Sequence, residues 1–148
     1  MPKHTHRSDA VKLVEVAAAI VMLVVLAAVV LPAFTGTSLR SREVALQSDL
    51  RILRNAIWLF QVDCGCYPAS LADLAATSAP ASGVGSTDER KYINAADWNG
   101  PYVASVPNDP ISRSAFGYFT STNSGRTVGE LCSSSTGTAS DGRAYDTW

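Results

Sequence analysis

The stretch from Val11 to Phe34 reads VKLVEVAAAIVMLVVLAAVVLPAF. From Val16 to Phe34 it contains no charged residue, and an α-helix of that length rises about 28 Å, close to the thickness of the hydrocarbon core of a bilayer. Burying a carboxylate at the head of such a segment is costly, so Glu15 is a candidate functional group that needs a partner. The alternative is that Glu15 lies at headgroup depth, where water solvates it.

The residues before this run are few and polar, and they include Lys3 and Arg7. A secretory signal peptide has a shorter apolar core that is followed by a small-residue cleavage site. Here the core is longer and no clear site of that kind follows it, so a retained membrane anchor fits better than a cleaved signal. Lysine and arginine are equally frequent near the two ends of the segment, which leaves its orientation open.

A second helical pattern runs from Ser38 to Asp63. Large apolar residues recur at alternating spacings of four and three, which places them in one stripe along a helix. The stripe consists of Leu46, Leu50, Leu53, Ile57 and Phe60, widened by Ile52, Ala56 and Leu59, with Arg42, Asp49 and Arg54 on the other side. Together with the apolar run, the pattern predicts one bent helix of about fifty residues, roughly 75 Å long. Two helices broken between Pro32 and Gly36 are the alternative, because proline removes a backbone hydrogen bond.

Turn residues mark the end of this helix. Gly65 to Pro68 should terminate it, and Ser70 should cap a short helix from Leu71 to Ala75 with Asp73 three residues after the cap. Residues 76–88 are rich in alanine, serine and glycine, which is typical of a loop.

The last third of the chain predicts a β-hairpin and a tail. The strands are expected at Phe116–Thr120 and Arg126–Leu131, joined by a turn at residues 122–125. Residues 132–148 are polar and contain glycine, so they should be mobile unless something holds them.

Three cysteines, Cys64, Cys66 and Cys132, lie in the soluble part, which suits an oxidising compartment. Cys64 and Cys66 are separated by one glycine, so we expect one of them to form a disulfide with Cys132, which would stabilise the fold by several kcal/mol. Three reduced thiols are the alternative. A zinc site is disfavoured because the C-x-C pair lacks a second pair of ligands.

Composition argues against two classes of function. The net charge of −1 provides no basic surplus for nucleic-acid binding. The only histidines, His4 and His6, precede the apolar run, so the soluble part has no Ser/His or Cys/His pair for nucleophilic catalysis. We therefore expect that the chain is not an enzyme.

With its polar start, apolar helix and early glutamate, the chain resembles the type IV pilin and pseudopilin family. If Glu15 is the family's fifth mature residue, the leader is cut between Ala10 and Val11, and Pro32 takes the place of the helix-kinking proline. Ala10 stands where the family usually has glycine. The later segments GCYP (65–68), GPYV (100–103) and PNDP (107–110) resemble, in the same order, those of the major pseudopilin of type II secretion.

The resemblance implies an α+β, pilin-like fold, in which a long N-terminal helix, half membrane-embedded and half amphipathic, packs on a small antiparallel sheet. Residues 1–10 would be a prepilin leader, 11–35 the transmembrane and assembly helix, and 36–148 a periplasmic domain. The chain would cross the bacterial inner membrane once.

The implied function is that of a structural subunit of a type II secretion pseudopilus, which supports protein export. The expected partners are copies of the chain itself, other pseudopilins, a prepilin peptidase, an inner-membrane assembly platform and the membrane, but no nucleic acid. After cleavage Val11 would be N-methylated, and Glu15 would pair with the Val11 amine of a neighbouring subunit. A type IV pilin for adhesion, motility or DNA uptake is one alternative, and a monomeric signal-anchored binding domain is another.

Asp141 and Asp146 loosely resemble the acidic C-terminal loop that binds calcium in major pseudopilins. Calcium binds six to eight oxygen ligands, so a weak site would also need backbone carbonyls. The serine-rich segment 133–140 lengthens the loop and dilutes its charge. A solvated tail is therefore favoured over a calcium site, and no other cofactor is expected.

Overall fold

The computed structural model describes the backbone of residues 5–122 and 125–148, and the side chains of residues 14–25, 38–122 and 125–148. The chain divides into two compact units, Met1–Arg40 and Ser41–Trp148. Helix α1 is assigned to Thr5–Cys64, and its residues from Ser41 onward belong to the second unit. The predicted bend at Pro32 and the predicted leader lie outside the residues whose side chains are described.

Within the described residues, which include 14–25 of the predicted membrane segment 11–35, no helix is long and apolar enough to span a bilayer.

The core of the second unit forms on one face of α1, as the spacing of its apolar residues predicts. The buried stripe has at most 4% exposure at any position, and comprises Leu46, Leu50, Leu53, Ile57 and Phe60 together with Ala56. The expected widening by Ile52 and Leu59 is wrong, because these side chains are 53% and 44% exposed. The sheets that cover the helix are small, so they bury only a narrow face of it.

Helix α1 ends where the sequence predicts. Gly65 adopts a φ of +67°, and its N–H donates to the Gln61 carbonyl at 2.9 Å, which is how a glycine commonly terminates a helix. The short helix at Leu71–Ala75 is a 3₁₀ turn. Its predicted cap is confirmed, since the Ser70 N–H donates to Asp73 Oδ2 at 2.8 Å.

Two small antiparallel sheets complete the α+β architecture that the sequence predicts. Strand β1 (Ser82–Val84) pairs with β2 (Arg90–Tyr92), with Gly83 opposite Lys91. The prediction of a loop across residues 76–88 is therefore wrong at β1. Besides its pairing with β2, the backbone of Val84 exchanges two 2.8 Å hydrogen bonds with Tyr67, and a propensity pattern does not report such long-range pairing.

The second sheet is the predicted hairpin with shorter strands. Strand β3 (Gly117–Tyr118) pairs with β4 (Leu131–Cys132). Residues 126–130, expected in the second strand, instead include a turn in which the Glu130 N–H donates to the Thr127 carbonyl at 3.1 Å. Residues 123 and 124 of the predicted connecting turn lie outside the described residues.

The C-terminal tail packs on the core, so the expectation of a solvated tail is wrong. Ala139, Tyr145 and Trp148 are buried among the helix residues, and Tyr145–Thr147 forms a second 3₁₀ turn. The rings of Tyr145 and Trp148 meet edge to face, with centroids 5.5 Å apart. Aromatic side chains supply apolar area that a tail otherwise rich in serine and glycine lacks.

Candidate functional site

The first unit exposes a continuous apolar segment at residues 14–25. Its large apolar side chains are each between 56% and 72% exposed, and they are Val14, Val16, Ile20, Val21, Met22, Leu23, Val24 and Val25. Residues 20–25 are consecutive, and successive residues of an α-helix are about 100° apart, so these side chains point to every side of the helix. The segment therefore presents an apolar surface that another apolar environment would stabilise.

Glu15 lies within this segment. Its side chain is exposed and makes no hydrogen bond or ion pair to any described residue. A carboxylate among exposed apolar groups is free to pair with a cation from another molecule. The predicted processing residues Ala10 and Val11, and the predicted assembly residue Pro32, lie outside the described side chains.

Glu43 is the polar residue of the buried helix face and holds the tail. Its carboxylate accepts hydrogen bonds from the Ser140 N–H at 2.8 Å, from the Ser140 hydroxyl, and from the Tyr145 hydroxyl at 2.8 Å. The hydrogen bond from the Ser140 hydroxyl is the main reason that the pKa of Glu43 lies below its usual value. Burial, with the Glu43 hydrogen bond as a second cause, raises the pKa of Tyr145 to about 12. Sequence reasoning missed Glu43, although it lies three residues before Leu46 on the same stripe.

Arg54 holds the end of the tail from the same helix. Its Nη2 donates to the Leu131 carbonyl at 2.8 Å and also to the Trp148 carbonyl. The sequence placed Arg54 on the face away from the core, and the side chain is exposed, yet its guanidinium reaches strand β4 and the tail together. Glu43 and Arg54 thus fix the tail to α1 at two points three turns apart.

Asp109 is a fully buried carboxylate that links the loop after residue 107 to the tail. Its Oδ1 accepts from the Ile111 and Ser112 N–H groups at 2.7 and 3.3 Å, and its Oδ2 accepts from the Ser134 N–H at 3.1 Å and from the Ser133 hydroxyl. Four donors satisfy the charge without a cation, which is the arrangement that makes a buried carboxylate tolerable. From the sequence alone, Asp109 before Pro110 indicates only a turn.

The predicted disulfide is not formed in the structure, and its formation stays a prediction. Cys64, Cys66 and Cys132 are free thiols, the first half-buried and the other two buried. Burial raises the pKa of each thiol. Glycine packs against the two buried thiols, because a Cβ on Gly83 would lie 2.7 Å from Cys66 Sγ and a Cβ on Gly117 would lie 3.0 Å from Cys132 Sγ.

Asp141 and Asp146, which loosely resemble the family's calcium-binding loop, each face an arginine. Asp141 Oδ2 lies 2.8 Å from Arg143 Nη2, and Asp146 Oδ2 lies 4.0 Å from Arg126 Nη2. Arg126 also pairs with Glu130 at 2.7 Å. Among the residues that the structure describes, no group of three or more His, Cys, Asp or Glu side chains is placed to hold a metal ion.

Comparison with known families decides the assignment. The family model for type II secretion system protein G matches residues 34–147, more than three quarters of the 148-residue chain. The chain belongs to this family. Neither the curated proteins nor the solved structures gave a match.

Membership in the protein G family confirms the resemblance to the major pseudopilin of type II secretion. The family is one of structural pseudopilins rather than enzymes. The match covers Cys64, Cys66, Cys132 and the hydrogen bonds around Glu43 and Asp109, and it ends one residue before Trp148, which Arg54 binds. It begins after the exposed segment 14–25, so the properties of Glu15 rest on the chain's own residues.

Proposed function

We propose that this protein G family member polymerises into a pseudopilus through residues 14–25 and thereby supports protein export. The observation that carries the proposal is the exposure of apolar side chains on every side of this helical segment in a member of a pseudopilin family. Side-by-side packing of such helices would bury these surfaces, and the small residues Ala17, Ala18 and Ala19 would permit close approach.

Glu15 sets the axial register in this proposal. A carboxylate carried into a bundle of apolar helices costs several kcal/mol unless a cation pairs with it. Cleavage between Ala10 and Val11 would create an amino group four residues before Glu15. The Val11 amine of one subunit would then pair with Glu15 of the next, which satisfies both charges only at one axial offset.

The remaining features follow from processing. A prepilin peptidase would remove residues 1–10, Val11 would be N-methylated, and Pro32 would bend the helix between the assembly segment and the domain. The chain would cross the inner membrane once, at residues 11–35, with residues 36–148 in the periplasm. Other pseudopilins and an inner-membrane assembly platform would be its partners.

Intact mass and N-terminal sequencing of the protein from its host's membranes test whether residues 1–10 are removed and Val11 is methylated. A chain beginning at Val11 with one added methyl group supports it, and one beginning at Met1 or Pro2 refutes it.

The role of Glu15 is tested by Glu15→Ala in cells that carry the rest of the secretion apparatus. The variant should remain in the membrane fraction but be lost from the filaments sheared off the cells, and export should fall with it. Asp97→Ala removes an exposed carboxylate outside the segment and serves as the matched control. Normal filament formation by Glu15→Ala would refute the pairing mechanism.

A further inference from the structure

An arginine-lined groove runs along the outer side of α1 in the second unit. It is open, has a volume of about 520 Å³, and is lined by Gln47, Arg51, Arg54, Asn55, Arg143 and Trp148 among others. Among the residues that the structure describes, no Asp or Glu side chain lines it. Arginine is among the side chains that most often dominate binding at protein interfaces. The groove is therefore suited to a partner that supplies carboxylates.

Arg51 is the groove arginine whose side chain no described residue of its own subunit binds. It is exposed, and it makes no hydrogen bond or ion pair to any described residue. Arg54, one turn further along the helix, donates to two backbone carbonyls. Arg143 pairs with Asp141 at 2.8 Å, and its guanidinium lies 5.3 Å from the centre of the Trp148 ring. Arg51 is thus the residue most available to an incoming anion.

The same domain carries an exposed turn with two adjacent carboxylates. Residues 85–89 connect β1 to β2, the Gly85 N–H donates to the Glu89 carbonyl at 2.8 Å, and Asp88 and Glu89 are exposed. Asp88 accepts hydrogen bonds from Thr122, and Glu89 accepts them from Thr87. Neither carboxylate has an ion pair within the described residues.

The cations that follow in β2 are directed back at their own subunit. Arg90 Nε donates to the Ser82 hydroxyl at 2.9 Å, and its guanidinium lies 5.6 Å from the centre of the Tyr92 ring. Lys91 Nζ donates to the Gly65 carbonyl at 2.9 Å. The tip of the turn therefore presents the Asp88 and Glu89 carboxylates, although Lys91 still interacts electrostatically with Glu89 and the sequence from Asp88 to Lys91 is neutral as a whole.

We propose that the groove around Arg51 receives the β1–β2 turn of a second copy of the chain, with Arg51 facing Glu89. The contact joins two different surfaces, so it repeats along a chain of subunits and suits a filament rather than a closed dimer. The hydrogen bond from the Thr87 hydroxyl, first among its causes, holds the pKa of Glu89 below its usual value and keeps the carboxylate charged. This inference rests on the proposed polymerisation, in which the pair would join the globular domains of neighbouring subunits.

Charge reversal tests the contact. Arg51→Glu and Glu89→Arg should each reduce the amount of sheared filaments about tenfold, because each places like charges opposite one another. The variant with both substitutions should recover filaments to near the wild-type amount, since the pair is restored with its signs exchanged. Arg113→Glu and Asp97→Arg reverse exposed charges outside the groove and the turn, and should leave the amount unchanged. Melting temperatures of the purified chains in detergent show whether every variant folds.

These variants distinguish a failure of the Arg51–Glu89 contact from a failure of assembly through residues 14–25. If Arg51→Glu and Glu89→Arg form normal filaments while Glu15→Ala does not, the contact is refuted and the proposed function stands. Loss in both single variants without recovery in the double variant also refutes it, as does an equal loss in Arg113→Glu or Asp97→Arg. A wild-type chain that forms no filaments refutes the proposed function and the contact together.

Discussion

At the scale of single residues, Glu43 makes the attachment of the tail sensitive to acid. Its hydrogen bonds to Ser140 and Tyr145 lower its pKa in the folded chain below that in the unfolded chain. A lowered carboxyl pKa stabilises the fold above the ordinary value of about 4.3, and this contribution disappears as the pH falls through the lowered pKa. Glu43→Gln should melt at a lower temperature than wild type at pH 7, and the difference should narrow below about pH 4. A difference that is constant between pH 7 and pH 2 would contradict this role.

Asp109 should be the polar side chain whose removal destabilises the domain most. Asp109→Ala leaves four donors, from Ile111 to Ser134, without their acceptor, and should lower the free energy of unfolding by roughly 3 kcal/mol. Asp109→Asn keeps one acceptor oxygen and should cost less. Urea denaturation measures both, with Asp97→Ala as the exposed control expected within about 0.5 kcal/mol of wild type. Equal stability of Asp109→Ala and this control would show that the network contributes little.

At the scale of elements, the helix face against the core can be probed with two neighbouring residues. Leu53 is fully buried and Ile52 is half exposed. Leu53→Ala should lower the free energy of unfolding by roughly 3 kcal/mol, because it removes buried apolar atoms and leaves a cavity. Ile52→Ala should cost less than about 1 kcal/mol, since its side chain remains largely in water. Chemical denaturation measures both variants. If Ile52→Ala lowers the free energy of unfolding more than Leu53→Ala does, the assigned core face is refuted.

The helix was predictable from sequence because its apolar spacing and its terminating Gly65 are local signals. Strand β1 and the docked tail were not, because both depend on long-range partners. Val84 pairs with Tyr67, and the tail is held by Glu43 and Arg54 from α1. The spacing of polar side chains along the sequence does not reveal which backbone groups they will meet. Position on the apolar stripe was the one local sign that Glu43 is buried.

Part of the candidate site was also predictable from the sequence, and part was not. Glu15 could be identified from sequence, because a carboxylate at the head of a long uncharged apolar run is unusual. The groove around Arg51 could not be, because it is formed by a helix face together with Arg143 and Trp148, which follow about ninety residues later. The three cysteines and the aspartates Asp141 and Asp146 were candidates because of their residue types alone. In the fold Cys66 and Cys132 are buried thiols, Cys64 is half-buried, and Asp141 and Asp146 each lie beside an arginine.

For the molecule as a whole, assembly through residues 14–25 requires that their exposed apolar surface becomes buried between subunits. Electron cryo-microscopy of filaments sheared from cells that produce this chain with its secretion apparatus tests that requirement most directly. We expect filaments in which residues 14–25 form the central bundle and the Glu15 carboxylate lies beside the amino terminus of a neighbouring subunit. Filaments with this segment on their outer surface, or cells that hold the protein only as membrane-bound monomers, would contradict the account.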